Sequence, residues 1–214
     1  MSQNYFITSS GTNIGKTYVT SLLAQQLRVQ GKTVAALKPI ISGYDPDDKF
    51  SDTALLMAAT DSINIDAISP FRFKAPLAPN MAAAREGETL PLDALTEFCH
   101  KKRDADIVLV EGVGGVMVPL NEKDTTLDWM AALGWAVIVV VGSYLGAISH
   151  ALSACEVLRA RGIRVQAVII SESEDSDVDF HETCLTMQQF LGYAAHIIPL
   201  PRADTQVDLT GIFL

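Results

Sequence analysis

Tyr5-Phe6-Ile7-Thr8-Ser9-Ser10-Gly11-Thr12-Asn13-Ile14-Gly15-Lys16-Thr17 is the stretch on which the reading of the whole chain turns. Tyr5–Thr8 is a β-rich apolar run. After Thr17 the residues Val19, Leu22, Leu23 and Leu27 fall on one face of a helix that Gly31 can end. Strand, loop, Gly-Lys-Thr, helix is the context of a phosphate-binding P-loop. Successive backbone N–H groups and the helix N-terminus form an anion cradle. Gly15 lets the backbone approach phosphates, Lys16 reaches the β- and γ-phosphates, and the Thr17 hydroxyl can ligate Mg²⁺. The usual pattern has glycine where this chain has Ser10. A structural turn is the competing explanation.

Outward from this loop, apolar runs recur at Thr33–Leu37, Ile107–Val110, Ala136–Val141 and Val165–Ile170. They are apolar almost throughout rather than alternating, as in strands covered on both faces of a parallel sheet. Ile148, Leu152, Cys155 and Leu158 mark a second helix with Gly162 as its stop; Phe180, Cys184, Met187 and Leu191 mark a third, stopped by Gly192. The alternation predicts an α/β fold: a single P-loop NTPase domain over residues 1–214, with a doubly wound, mostly parallel sheet and helices on both faces. Pro70–Pro91, with prolines at 70, 76, 79 and 91, reads as a surface excursion of the kind that carries function.

The net charge of −9 argues against a nucleic-acid partner, which needs Lys/Arg stripes, but leaves ATP open because a loop, a few lysines and a metal handle phosphates locally. The longest apolar run is too short to cross a bilayer, and the first ten residues show no signal-peptide pattern, so no membrane is expected. Cys99, Cys155 and Cys184 form no C-x-x-C and read as reduced core cysteines of a cytoplasmic protein.

Three further segments carry chemistry. Lys38-Pro39-Ile40-Ile41-Ser42-Gly43 follows the second strand, so Lys38 points at the same sheet rim as Lys16. Taken alone, it reads rather as a solvated lysine beside a Pro/Gly turn. Ser51-Asp52-Thr53 opens a helical run; alone, Ser51 is an ordinary N-cap and Asp52 a helix-dipole residue. Val110-Glu111-Gly112-Val113-Gly114-Gly115 ends the third strand. A carboxylate leaving a buried strand beside the P-loop suits a Mg²⁺ ligand, and the glycines suggest close approach by a ligand; a structural bulge is the alternative.

Gly-Lys-Thr, then Lys-Pro-x-x-Ser-Gly, Ser-Asp and Val-Glu-Gly-x-Gly-Gly, in this order and spacing, resembles the dethiobiotin synthetase family. The likeness continues through Pro70-Phe71, the Ala-Pro-x-x-Pro stretch at 75–79, and Val141-Gly142 to Leu145-Gly146. The resemblance implies ATP-dependent ureido ring closure on 7,8-diaminopelargonate with CO₂ or bicarbonate, through a carbamate and a carbamic–phosphoric anhydride. It implies ATP and Mg²⁺ as cofactors and a homodimer. Lys16, Lys38, Thr12 and Ser42 would be catalytic; Thr17, Asp52 and Glu111 would hold the metal. Asn13, Ile14, Gly15, Lys16, Thr17, Tyr18, Glu111, Gly112, Gly114, Gly115 and Ser171 would line the nucleotide site.

Three positions depart from the family pattern. Asn13 stands where many members carry an acid and is given no catalytic role. Ser171-Glu172 replaces a common Asn-Asp that reads the nucleotide base, and Ser149 replaces a common Asn. Tyr144 and Leu145, between two glycines, are expected to pack against a second subunit and to cover the apolar chain of the substrate. The competing readings are a P-loop amidoligase, which carries a glutamine-hydrolysing domain for which this chain has no room, and a non-catalytic nucleotide switch, which would need neither Lys38 nor the Pro70–Pro91 excursion.

Overall fold

The computed structural model describes residues 2–192, 196–202 and 206–213. In chain order the elements are β1 (Gln3–Ser9), α1 (Lys16–Val29), β2 (Val34–Leu37), β3 (Ile40–Ser42), α2 (Asp52–Thr60), β4 (Phe71–Phe73), α3 (Pro79–Arg85), α4 (Leu92–His100), β5 (Ile107–Glu111), α5 (Thr126–Leu133), β6 (Ala136–Val141), α6 (Ala147–Ala160), β7 (Val165–Ser171), α7 (Phe180–Leu191) and β8 (Ile197–Leu200). Six strands form one sheet in the order β2-β5-β1-β6-β7-β8, and every pairing is parallel. The chain winds from β1 out to β2, returns to β5, and then continues on the far side of β1. The strand order therefore reverses around β1, where a crevice opens at the carboxyl ends of the strands.

The strand residues split by parity, as a pleated sheet requires. Tyr5, Ile7, Leu109, Ile138, Val140 and Ile169 face α1 and α2, where Val19, Leu23, Leu27 and Leu56 cover them. Phe6, Val108, Val110, Val137, Val139 and Ile170 face the other way, onto α4 to α7 with Leu95, Trp129, Leu158 and Met187. Both faces are covered, and the expected doubly wound α/β fold is the one observed.

The structure adds elements that the apolar runs do not announce. The strands β3 and β4 pair in a separate two-stranded parallel sheet, Ile40 opposite Phe71 and Ser42 opposite Phe73. The Pro70–Pro91 stretch is consequently not an irregular surface excursion. It contains β4 and α3, and Phe73, Ala82, Ala83 and Leu90 are buried. Pro79 sits in the first turn of α3, where its missing N–H costs nothing. Gly31 and Gly162 adopt the left-handed conformation just past α1 and α6, as helix stops do, whereas Gly192 ends α7 with helical angles.

Candidate active site

The P-loop begins where β1 ends. Ser10 N–H donates to Val140 O of the neighbouring strand at 3.1 Å, which fixes the exit of the chain. Asn13 and Gly15 then turn through the left-handed region, and Gly15 caps α1. A side chain at Gly15 would be disfavoured twice: by φ of 92° and by Ser171 Oγ, 3.0 Å from where a Cβ would lie. The result is a tight loop leading straight into a helix N-terminus, an arrangement suited to an anion.

Four charged side chains meet beside that terminus, each from a different element. Lys16 comes from the first turn of α1 and is 7% exposed; its Nζ donates to Ser9 Oγ at 3.0 Å and Gly11 O at 3.2 Å. Lys38 follows β2 and is 6% exposed; its Nζ donates to Glu111 Oε1 at 2.6 Å and to Asp52 Oδ2. Glu111, the last residue of β5, is 1% exposed, and Asp52 opens α2 under the Ser51 N-cap. Thr17 Oγ1 lies 2.7 Å from both Asp52 Oδ1 and Glu111 Oε1. A hydroxyl has one proton, so it satisfies only one of these carboxylates at a time. Glu111 Oε2 is buried without a hydrogen-bond partner among the described residues.

Burial weakens the Lys16 ammonium and brings its pKa down to about 8, with Lys38 adding to the fall while Glu111 and Asp52 oppose it. Burial also acts against the Lys38 charge, but there the ion pairs with Glu111 and Asp52 prevail, and its pKa is raised. Burial acts against the Asp52 carboxylate in turn. Lys38, the Thr17 hydroxyl and Lys16 outweigh it, and the pKa falls below the usual value. Two lysines and two carboxylates leave the cluster formally neutral at pH 7.

These residues line a cleft of about 820 Å³ together with Thr12, Asn13, Ile14, Gly15, Tyr18, Ser42 and Gly114. Ser42 Oγ is another buried oxygen without a partner among the described residues. The far wall is Pro76–Pro79, supplied by the segment between β4 and α3. The lysines, Thr12, Thr17, Ser42, Asp52 and Glu111 therefore gather as the sequence reading expects. Gly112 and Gly115 do not line the cleft. A Cβ at Gly112 would strike Phe6 Cε1 of β1 at 2.7 Å, whereas one at Gly115 would meet Gly11 and Ser9 O at 3.4 Å, an ordinary contact. Ser9, to which the sequence reading gave no role, contacts Lys16 directly. Its contact with Gly114 O could not be read locally, because the fold brings that residue to it.

Ser171 faces a second cleft of about 760 Å³ on the other side of the P-loop, shared with Tyr144, Glu172, Ser173, Leu200 and Arg202. Tyr144 is half-buried. Its ring lies over Gly142, where a Cβ would come within 2.8 Å of it, and its hydroxyl is 2.8 Å from His150 Nδ1. Leu145 is 88% exposed. Of the expected pair, Tyr144 therefore belongs to the wall of the second cleft, and Leu145 alone is turned to the surface.

A glycine-bearing loop between a central strand and a helix, with a buried Lys-Thr pair, a second lysine and two carboxylates at the switch point, defines a P-loop nucleotide-using domain of the phosphoryl-transfer class. The chain matches a family model described as an AAA domain over residues 3–199. Among solved structures it resembles the septum site-determining protein MinD complexed with Mg-ADP from Pyrococcus horikoshii OT3, at a TM-score of 0.55 and 17% identity over 94% of this chain and 82% of that one. The signal recognition particle receptor FtsY from Elizabethkingia anophelis shares the fold at a TM-score of 0.53 and 13% identity, over 96% of this chain and 61% of that one. Sequence relatives are more specific. The ATP-dependent dethiobiotin synthetase BioD of Caulobacter vibrioides is 44% identical over 94% of this chain and 93% of its own length. That of Methylobacterium nodulans is 49% identical over 78% and 80%. The chain belongs to the ATP-dependent dethiobiotin synthetase family.

Proposed function

We propose that this chain closes the ureido ring of dethiobiotin from 7,8-diaminopelargonate, CO₂ and ATP. The observation that carries the reading is the buried cluster of Lys16, Lys38, Thr17, Asp52 and Glu111 beside the P-loop. One amine of the diamine takes up CO₂ as a carbamate. A carbamate oxygen attacks the γ-phosphorus, ADP leaves, and the second amine attacks the carbonyl carbon of the mixed anhydride with loss of phosphate. No covalent enzyme intermediate is required. The protein's task is to position the groups and to stabilise charge.

Lys16 holds the phosphates with the N–H groups of Asn13, Ile14 and Gly15, and Tyr18 and Ser171 flank the nucleotide. Lys38 stays an ammonium because of its two carboxylate partners, and meets the carbamate and the transferred phosphoryl group. Thr12 and Ser42, whose oxygen is otherwise unpartnered, hydrogen-bond the carbamate or the diamine. Gly114 keeps that wall low, since a Cβ there would strike Val118 at 2.6 Å.

Mg²⁺ fits Thr17, Asp52 and Glu111. They present hard oxygen donors, one hydroxyl proton cannot serve two carboxylates, and Glu111 Oε2 is partnerless. A neutral cluster also cannot balance a triphosphate unaided. When bound, the ion would offset the charge of the phosphates.

Three buried, unpaired cysteines agree with a cytoplasmic setting, and among the described residues no helix is long and apolar enough to cross a membrane. Exposed Leu145, close to the second cleft, is a natural contact for the other copy in a homodimer. Sedimentation at micromolar protein tests this part, and a fully active monomer at every concentration removes it. The whole reading is tested by supplying 7,8-diaminopelargonate, bicarbonate, ATP and Mg²⁺. Dethiobiotin and ADP should form together, and ADP release should stop without the diamine. ADP release indifferent to the diamine would favour the nucleotide switch, and a glutamine requirement would favour an amidoligase.

A further inference from the structure

The hydroxyl of Ser9 touches both halves of the site. It is 0% exposed at the end of β1. It accepts from Lys16 Nζ at 3.0 Å and from Gly11 N–H at 3.4 Å. Its own proton is directed to Gly114 O at 3.0 Å or to Gly11 O. A serine hydroxyl has one donor and two acceptor sites, and here all of them face protein groups. The groups it joins come from three places: the P-loop turn, the lysine of α1, and the glycine loop over residues 112–118 that walls the main cleft. An ammonium has three donors. Two of those of Lys16 are taken by Ser9 and Gly11 O, so the third is left for the cleft that Lys16 lines.

We propose that Ser9 is a positioning residue for the ring-closing reaction. Its hydroxyl aims the Lys16 ammonium and ties the 112–118 loop to the P-loop, so that the nucleotide end and the diamine end of the cleft are set together. The proposal rests on the reading given under Proposed function for the chemistry, but not for the link itself.

Two variants and two measurements test it. Ser9→Ala removes the hydroxyl, and Ser9→Cys keeps nearly the same volume with a much weaker donor and acceptor. Both should lower kcat about tenfold, the scale of one hydrogen bond to a charged donor, with KM for ATP changed by less than about threefold. The second measurement is amide hydrogen exchange with and without the non-hydrolysable analogue AMP-PNP. In the wild type the analogue should slow exchange in both the P-loop and the 112–118 segment; in Ser9→Ala it should slow the P-loop alone. Wild-type kcat in Ser9→Ala overturns the proposal. Restoration by Ser9→Cys overturns it too, because filled space and not the hydroxyl would then be the cause. So does analogue protection of the 112–118 segment that is the same in wild type and Ser9→Ala. A wild type that turns over no diamine while showing the expected exchange pattern would sink the ring-closing reading and leave the Ser9 link standing.

Discussion

The two clefts that flank the P-loop share Thr12, Asn13, Ile14, Gly15 and Tyr18, yet their polar groups are in opposite states. In the main cleft, ammonium and carboxylate groups from α1, α2 and the ends of β2 and β5 crowd together, and Ser42 Oγ and Glu111 Oε2 have no partner among the described residues. In the second, the polar groups largely close on one another. Ser143 and Ser173 exchange N–H to Oγ hydrogen bonds at 2.9 Å each, Tyr144 pairs with His150, and Glu172 Oε2 accepts from Arg202 N–H. Unmet hydrogen-bonding capacity in a buried site is costly unless a ligand meets it. Under the proposed function, bond-making falls to the main cleft and the second is a seat for the rest of the nucleotide.

The sharpest way to break this comparison is Lys16→Ala. The charge serves phosphate binding and the transition state together, so turnover should fall at least about 100-fold, the scale of losing one preorganised electrostatic group. The protein should still melt cooperatively, since Lys16 donates only to Ser9 and Gly11 of its own loop. Steady-state ADP release beside a thermal melt checks both. A folded variant with unchanged turnover would mean that the main cleft is not where phosphate is transferred.

Next in size are the carboxylates. Asp52→Asn and Glu111→Gln should each raise the Mg²⁺ concentration needed for half-maximal activity about tenfold, and chelation should silence the wild type. The two should differ in stability. Glu111 is fully buried against Lys38, and removing one partner of such a pair typically costs about 3–5 kcal/mol, whereas Asp52 is half-buried and should cost less. Mg²⁺ titrations that superimpose on the wild type in both variants would remove the metal role.

A smaller, continuous effect is expected from pH. Lys16 has its pKa lowered to about 8, so in the free protein the ammonium is lost as pH rises through that value. The ratio kcat/KM for ATP, which reports on the free enzyme, should fall over the same range. Stability should move the other way. A lysine whose folded pKa is depressed binds its proton better when unfolded, so its contribution rises between about pH 8 and its ordinary value near 10.5. Lys38, raised by its carboxylates, adds stability that is fully present below its unfolded pKa and is lost as pH rises from there through the folded one. A flat kcat/KM between pH 7 and about 9.5 would show that Lys16 keeps its proton without nucleotide.

How much of this was legible in the sequence follows the same division. The P-loop could be read because its strand, turn and helix are consecutive, and the buried strands because both-face burial leaves an unbroken apolar run. Lys38 and Glu111 could be placed on one rim once the sheet was parallel, whereas Asp52 joined them only through the family resemblance. The packing at Gly112 could not be read, because the ring it makes room for belongs to Phe6, about a hundred positions earlier. The three-residue strands β3 and β4 carry too little periodicity to announce a sheet, and they pair only because Ile40 and Phe71 meet across a long connection. Pro70–Pro91 was misread for that reason: prolines mark turns, but they do not say whether what lies between is buried.

The smallest effect should come from the second cleft, and Tyr144→Phe measures it most cleanly. The substitution keeps the ring that packs over Gly142 and deletes only the hydroxyl bonded to His150. That bond joins two groups on the same side of the cleft, the loop after β6 and the first turn of α6, and involves none of the charged residues of the main cleft. If the second cleft only seats the nucleotide, kcat should stay within about 1.5-fold, and KM for ATP should rise no more than about threefold, one neutral hydrogen bond's worth. Both constants come from one saturation curve with the diamine and bicarbonate in excess. The competing expectation places Tyr144 over the apolar chain of the diamine. On that view the loss would appear in KM for 7,8-diaminopelargonate, with ATP unaffected. A tenfold fall in kcat with both KM values unchanged would contradict both views, because the second cleft would then reach the reacting atoms.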